Sequence, residues 1–267
     1  MGAFEIIGKQ PEEDAAAVAD ALDPEFVRTG SEEEYREEVE TFATQASNNL
    51  GVQPNFAVMS PQIREHVDKY GGDRIVGINE TTQADINDVI MDGFERGKNP
   101  RAIAESVGAY VTDIIPNRGE VIARTEMLRA SNFGTYQAHK TSGVVTEREW
   151  IATPDTRTRD HHSTLDGTVV GMDEKFTSPE TGAEAKYPGD FGRGVDDIQC
   201  RCTTGARVPD RSYDRRAVWK QFDDRLSESE DKFAGLFTDL LRRQIVEQAS
   251  PVMEERIGVG LEEVLSE

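Results

Sequence analysis

The chain has 267 residues, of which 36% are hydrophobic and 30% charged, with 51 acidic residues against 30 basic ones and a formal net charge of −21. That length suffices for a real core in one large domain or two smaller ones, and the acid excess repels nucleic acid and anionic membranes at low salt, which disfavours a general duplex-DNA binder. Of the basic residues 22 are Arg and 8 are Lys, a pairing of acid excess with scarce lysine that suits solubility in molar salt and points to a halophilic origin. At about 1 M salt the Debye length is roughly 3 Å, so the acid shell no longer bars contact with DNA. No apolar run approaches the ~18 residues of a membrane span, and the N-terminus lacks a basic start and a signal-type core. The expectation is a soluble chain that is not exported.

Residues 1–30 are acidic and alanine-rich and read as an arm. Ser31 followed by Glu34 is a capping-box start, and Tyr35, Val39, Phe42, Ala46 and Leu50 recur at helical spacing as far as Gly51. From Gly51 to Gly77 the prolines at 54 and 61 and the Gly71-Gly72 pair predict a connector with at most a short helix. A helix is expected from Thr81-Thr82 to Gly97, a second from Asn99-Pro100 to Ile114, and a third from about Arg118 to Ser142. Alternation in 147–153 predicts a strand, with short strands at Val169-Val170 and Phe176 and another from Ile198 to Thr204. A long helix with a wide apolar face, from Val218 through Phe222, Leu226, Phe233, Leu240 and Ile245, then runs to Pro251. The fold class is α+β: a helical N-terminal part, central helices packed on a small β-rich unit, and a long C-terminal amphipathic helix. The division expected is 1–79, 80–207 and 208–267.

The chemistry concentrates in one ordered constellation. It holds Asp155, Arg157, Arg159, His161 and His162, then Leu165-Asp166-Gly167, then Pro188-Gly189-Asp190, and finally Cys200-Arg201-Cys202. Both cysteines and half of the four histidines therefore fall within it. Cysteines two apart close only a tiny strained ring if oxidised, so reduced thiols are expected. On an extended strand they leave the same face, presenting two sulfurs to a metal. Zinc takes about four N, S or O ligands; His162 is the third candidate, and Asp155, His161 or Asp190 the fourth. The alternative is that Cys200 and Cys202 are small buried residues and His162 a hydrogen-bonded strut. Both readings remain open at this level.

Asp155 with Arg157 and Arg159 reads as a turn closed by its own ion pairs, rather than as an acid with two phosphate-binding cations. Arg124 and Glu126 lie on a helix and are expected to reach the same loop as a buried ionic brace. Asp166-Gly167 and Gly189 are turn chemistry. Between 201 and 220 the chain is locally basic, and Arg207, Arg211, Arg215, Arg216 and Lys220 are the candidate contact with DNA or an acidic partner. There is no P-loop, no GxGxxG after a strand, no GxSxG elbow and no HExxH.

At these residues the chain resembles the phage Mu protein F-like family of minor head, or head-morphogenesis, proteins. The likeness runs over roughly 80–207, through Ile122 to Glu126, Asn132, Trp150, Asp155, Arg157, Arg159, His162, Leu165, Asp166, Gly167, Pro188, Gly189, Asp190 and Cys200-Arg201-Cys202. The resemblance implies a structural, non-catalytic, low-copy component of a tailed virus head. It further implies a place inside the head near the portal vertex, reached from the host cytoplasm during assembly. The partners implied are the portal protein or the major capsid protein, and packaged viral DNA. The C-terminal helix is the expected docking element on these partners or on a second copy. Two rivals remain: a nuclease or transferase using His162 as base and Arg157 or Arg159 for phosphate, and a transient assembly factor absent from mature virions.

Overall fold

The structure, a computed structural model, describes residues 10–265. In chain order the elements are α1 (Pro11–Asp20), α2 (Pro24–Leu50), α3 (Phe56–His66), α4 (Arg74–Glu95), α5 (Pro100–Ala109), α6 (Ile115–Thr141), β1 (Glu147–Ile151), α7 (Asp160–Leu165), β2 (Val169–Gly171), β3 (Phe176–Thr177), β4 (Glu184–Ala185), α8 (Gly194–Asp197), β5 (Thr203–Arg207), α9 (Arg215–Gln244), α10 (Ser250–Ile257) and α11 (Leu261–Leu265). Single wider helical turns join α3 to α4, α5 to α6 and α9 to α10, so these pairs run on without a loop. The α+β class, the helical N-terminal part and the long C-terminal helix are as expected. The chain forms two compact units that interleave in sequence and cut across the three-part division. The first takes the chain up to Ser31, Gly72–Gly119 and Gly235 onward; the second takes Glu32–Gly71 and Glu120–Ala234.

The first unit is helical. Within it α1 packs on α4 and α10, α4 on α5, and α5 on α11, around a core that includes Val18, Leu22, Val27, Ile86, Ile90, Ile103, Val107, Leu241 and Met253. Its caps follow the sequence: the Asn99 side chain accepts from Ala102 N at 2.9 Å, with Pro100 following.

The second unit sets the end of α6 and the helices around it against an antiparallel sheet of order β2-β1-β5, with β3 and β4 as a separate hairpin. Trp150 stands opposite Thr204, and Ile151 opposite Thr203. Burial on this sheet reflects its two covered faces: Arg148, Glu149, Trp150 and Ile151 in succession are all buried. At Gly134 the backbones of α2 and α6 touch, because a Cβ there would collide with the Val39 carbonyl. Glycine is the residue that permits this approach.

Several local expectations are corrected. Residues 11–30 are not an arm: α1 occupies 11–20, and α2 starts at Pro24, where Asp23 Oδ1 accepts from Glu25 N at 3.0 Å; residues 1–9 lie outside the described residues. Asp23-Pro24 is thus the cap, and Ser31 sits inside the helix with its Oγ donating to the Val27 carbonyl at 2.9 Å. The connector at 51–77 is mostly helix, because Asn55 starts α3 by accepting from Val58 N at 3.3 Å and the helical path carries through Pro61. Pro251 does not end the C-terminal helix but falls in the first turn of α10, where its missing N–H is harmless. The strand predicted from Ile198 begins only at Thr203.

Candidate functional site

The site lies wholly in the second unit and is assembled by backbone hydrogen bonds from side chains. After β1 the chain turns at 153–158. There Asp155 Oδ1 accepts from Arg157 N at 2.9 Å, and Thr158 Oγ1 donates to the Thr153 carbonyl at 2.6 Å. The short helix α7 then presents His161 and His162, a helix that the sequence reading took for loop. Asp166-Gly167 closes it: Asp166 Oδ1 accepts from Ala152 N at 2.9 Å, and Gly167, at φ +78°, donates its N–H to the Trp150 carbonyl at 2.9 Å.

The cysteines approach from the other side. Past α8, Gln199 takes a left-handed φ of 55° and its N–H donates to Thr125 Oγ1 at 3.1 Å. The Thr153 hydroxyl donates to the Arg201 carbonyl at 2.7 Å, and Asn132 Nδ2 to the Cys202 carbonyl at 2.9 Å, while Asn132 Oδ1 accepts from Thr203 Oγ1 at 2.9 Å. It is this turn, not strand alternation, that points both sulfurs inward. His162 Nδ1 stands 3.7 Å from Cys200 Sγ and 3.6 Å from Cys202 Sγ, and all three residues are buried. Both cysteines are free thiols. Burial pushes the Cys200 thiol up, whereas Cys202 is held down because the Cys200 thiol donates to it.

None of the three residues offered as a fourth ligand joins this group. Asp155 receives both arms of the Arg201 guanidinium, at 2.7 and 2.8 Å, which with Arg157 holds its carboxyl well below the usual range. Asp190 accepts from Lys186 N at 3.0 Å. His161 turns its Nε2 to Asp196, at 3.4 Å. Beside the sulfurs lies a cavity of about 130 Å³ whose lining includes Arg124, Thr153, Arg157, Arg159 and Gln199.

The ionic brace exists, with a different arginine. Glu126 pairs with Arg129, both fully enclosed, while Arg124 reaches Glu230 at 3.3 Å. Arg129 Nε donates to the Gly189 carbonyl at 2.8 Å, and its Nη2 lies 4.0 Å from the Asp197 carboxylate. Gly189, at φ +93°, runs so close to α6 that a Cβ there would stand 3.4 Å from the Arg129 Cα. Asp197 in turn accepts from the N–H groups of Phe191 and Gly192 at 3.1 and 2.7 Å. Arg148, also buried, donates to the carbonyls of Lys186, Gly171 and Glu174. The sequence reading missed Arg129, Arg148, Asp196 and Asp197. The available signal for the first was its position one turn after Glu126.

Residues 84–205 match the model of the phage Mu protein F-like proteins, a span that contains every member of the constellation. This segment belongs to the phage Mu protein F-like family. Three relatives add detail. The NAD(+)–arginine ADP-ribosyltransferase EFV of Enterococcus faecalis is 34% identical over 61% of this chain and 36% of its own length. The minor head protein GP7 of Bacillus phage SPP1 is 37% identical over 44% of this chain and 39% of its own. The uncharacterized protein YqbB of Bacillus subtilis is 24% identical over 66% and 61%. The chain thus spans between about a third and three fifths of these relatives. No solved structure matches it.

In this chain the residues offered for phosphate or DNA are largely spent on the fold. Arg159 donates to the carbonyls of Asp196 and Ile198, and Arg157 to Asp155. In the basic stretch Arg207 and Arg215 pair with Glu149 at 3.7 and 2.7 Å, and Arg215 also with Asp166 at 2.6 Å. Arg211 donates to the Leu50 carbonyl at 3.1 Å and Lys220 to Asp224 at 2.6 Å. Among the described residues Arg211 and Arg216 are the two of the five without a carboxylate partner, and Arg211 is tied to a backbone carbonyl. The C-terminal helix likewise spends its apolar face inside the protein: Phe222, Leu226, Phe233, Phe237, Leu241 and Ile245 are all buried. That corrects the expectation that this face docks on a partner or on a second copy. No helix among the described residues is long and apolar enough to cross a membrane.

Proposed function

We propose that this chain is a minor head protein of a tailed virus that takes its place inside the head near the portal vertex and acts there as a structural component. The single observation that carries the reading is the family match over the segment whose motif residues serve as internal bracing. Membership in the family and likeness to a minor head protein support a role in head morphogenesis. The enclosure of His162 and the engagement of Arg157 and Arg159 by the chain itself argue against a nuclease or transferase built on them. ADP-ribosyl transfer is a property named for EFV, of which this chain covers 36%. Contact with the portal protein, the major capsid protein or packaged DNA runs through the polar surface, because the apolar helix faces are already covered. The acid shell keeps the chain soluble in concentrated salt, in keeping with a halophilic host.

The test is location. Procapsids and mature heads are purified from the virus that encodes the chain, its copies are counted by quantitative mass spectrometry, and a tagged copy is located by electron cryomicroscopy. Low-copy signal at one vertex is the expected result. Presence in procapsids but not in mature heads makes the chain a transient assembly factor, and absence from both overturns the proposal.

A further inference from the structure

Two neighbouring groups in the second unit carry donor atoms of the kinds that bind metals: His162 with Cys200 and Cys202, and His161 with His162 and Asp196. Their hydrogen bonding separates them. The Asp196 carboxylate already accepts from Ser178 Oγ at 2.6 Å and from Thr181 Oγ1 at 2.7 Å, one hydroxyl on each oxygen. It is a finished structural pair. The sulfurs face one another and the imidazole, with the Cys202 N–H approaching Cys200 Sγ at 3.4 Å and the Thr153 backbone N–H donating to Cys202, and no carboxylate stands among these partners.

Hydrogen bonding alone does not account for the geometry of that second group, since the Cys200 thiol already donates to Cys202 and yet both sulfurs stand against the imidazole. A neutral imidazole nitrogen has one lone pair and accepts one good hydrogen bond. Here two sulfurs stand against the same Nδ1 at nearly equal distances, 3.7 and 3.6 Å. Zinc bound at ~2.3 Å to sulfur and ~2.0–2.1 Å to nitrogen gives a tetrahedron whose S···N edge is about 3.6 Å. The observed S···N spacings match that edge, and thiolate with imidazole is a donor set that suits zinc.

We propose that His162 Nδ1, Cys200 Sγ and Cys202 Sγ bind one zinc ion, whose fourth ligand is a water molecule in the arginine-lined cavity. On binding, each thiol gives up its proton to solvent and the imidazole stays neutral, carrying its proton on Nε2. No Asp, Glu or further His lines the cavity, so the fourth position falls to solvent and no carboxylate stands there as a general base. The ion ties α7 to the turn before β5 and acts as a cross-link. Arg124, Arg157 and Arg159 around the cavity also make the water replaceable by a small anion.

The full-length chain is purified without chelator and its metal content measured by plasma mass spectrometry. One zinc per chain is expected, with loss of the ion in the Cys200→Ser/Cys202→Ser double variant. Because that variant can misfold, the wild-type chain is also stripped and titrated with Co(II). A thiolate-to-cobalt charge-transfer band and the d–d bands of tetrahedral cobalt, saturating at one equivalent, support the site. Metal-free protein whose stripped form gives no such band overturns it, as does zinc retained by a folded double variant. Azide added to the cobalt form shifts the d–d bands if the fourth ligand is exchangeable water, and an unchanged spectrum overturns that ligand.

Discussion

Two ionic clusters hold the 188–202 stretch, and they use the same chemical groups in opposite surroundings. Beneath it, Arg129 lies fully enclosed with Glu126, the Gly189 carbonyl and Asp197. On the outside, Asp155 clasps Arg201 and Arg157, with 32% of the Asp155 side chain and 76% of the Arg157 side chain exposed. An enclosed guanidinium that loses its partner leaves a bare charge in a medium that cannot solvate it, whereas water takes over for the exposed pair. The difference teaches that the motif's visible charges are its least consequential ones. The arginine on which the loop rests is one that composition and spacing hardly advertise.

The largest expected effect is at the enclosed cluster. Arg129→Ala leaves Glu126 and the Gly189 carbonyl without their cation and destabilises the protein by about 3–5 kcal/mol in urea unfolding. A loss of less than about 1 kcal/mol would mean that the enclosed pair is not what holds the loop. Glu38 sharpens the comparison as an enclosed acid whose hydrogen-bond partners are hydroxyls, Ser131 at 2.6 Å and Ser229 at 2.7 Å. Burial raises its pKa to about 7. The folded state therefore binds the extra proton between the ordinary carboxylate range and pH 7, so the group costs stability as pH rises through that window. Glu38→Gln is expected to stabilise by about 1–3 kcal/mol at pH 8 and by almost nothing at pH 5, read from denaturation midpoints at both.

The exposed cluster gives smaller numbers. Asp155→Asn weakens the clasp on Arg201 and costs within about 1 kcal/mol, less in high salt. Because its carboxyl is held low, its contribution is full above the ordinary carboxylate range and fades only as pH falls through the depressed value. The difference between wild type and variant at pH 7 is thus expected to persist at pH 5. Arg157→Ala is expected to shift the midpoint by no more than about 0.5 kcal/mol. A large loss there would mean that the surface charge is used in a way the fold alone does not explain.

What was legible in the sequence follows the same line. The periodic apolar residues of α4, α5 and α9 announced those helices, and the Cys-x-Cys and His162 expected to share one site do meet. The mechanism of that meeting was not legible. Alternation along a strand was expected, and the structure uses a left-handed Gln199 held by Thr125, a contact across 74 positions of sequence that no local pattern carries. The helices α1 and α3 were hidden because prolines and glycines read as breakers: Pro11 and Pro24 are starts, and Pro61 is carried inside. The basic run after Cys202 looked like a patch because its partners, Glu149, Asp166 and the Leu50 carbonyl, lie far away in the chain.

The interleaving of the two units bears on the order in which they form during synthesis. Once residue 234 has left the ribosome, the second unit has every stretch it needs, whereas the first still lacks Gly235–Glu267. Val27, Ile75 and Ile103, buried in the finished first unit, must wait for the stretch from Gly235 onward to be translated. Vectorial growth therefore imposes a sequence in which the unit bearing the imidazole and thiols matures first, and a ribosome stalled soon after residue 234 leaves the helical unit half covered and open to chaperones.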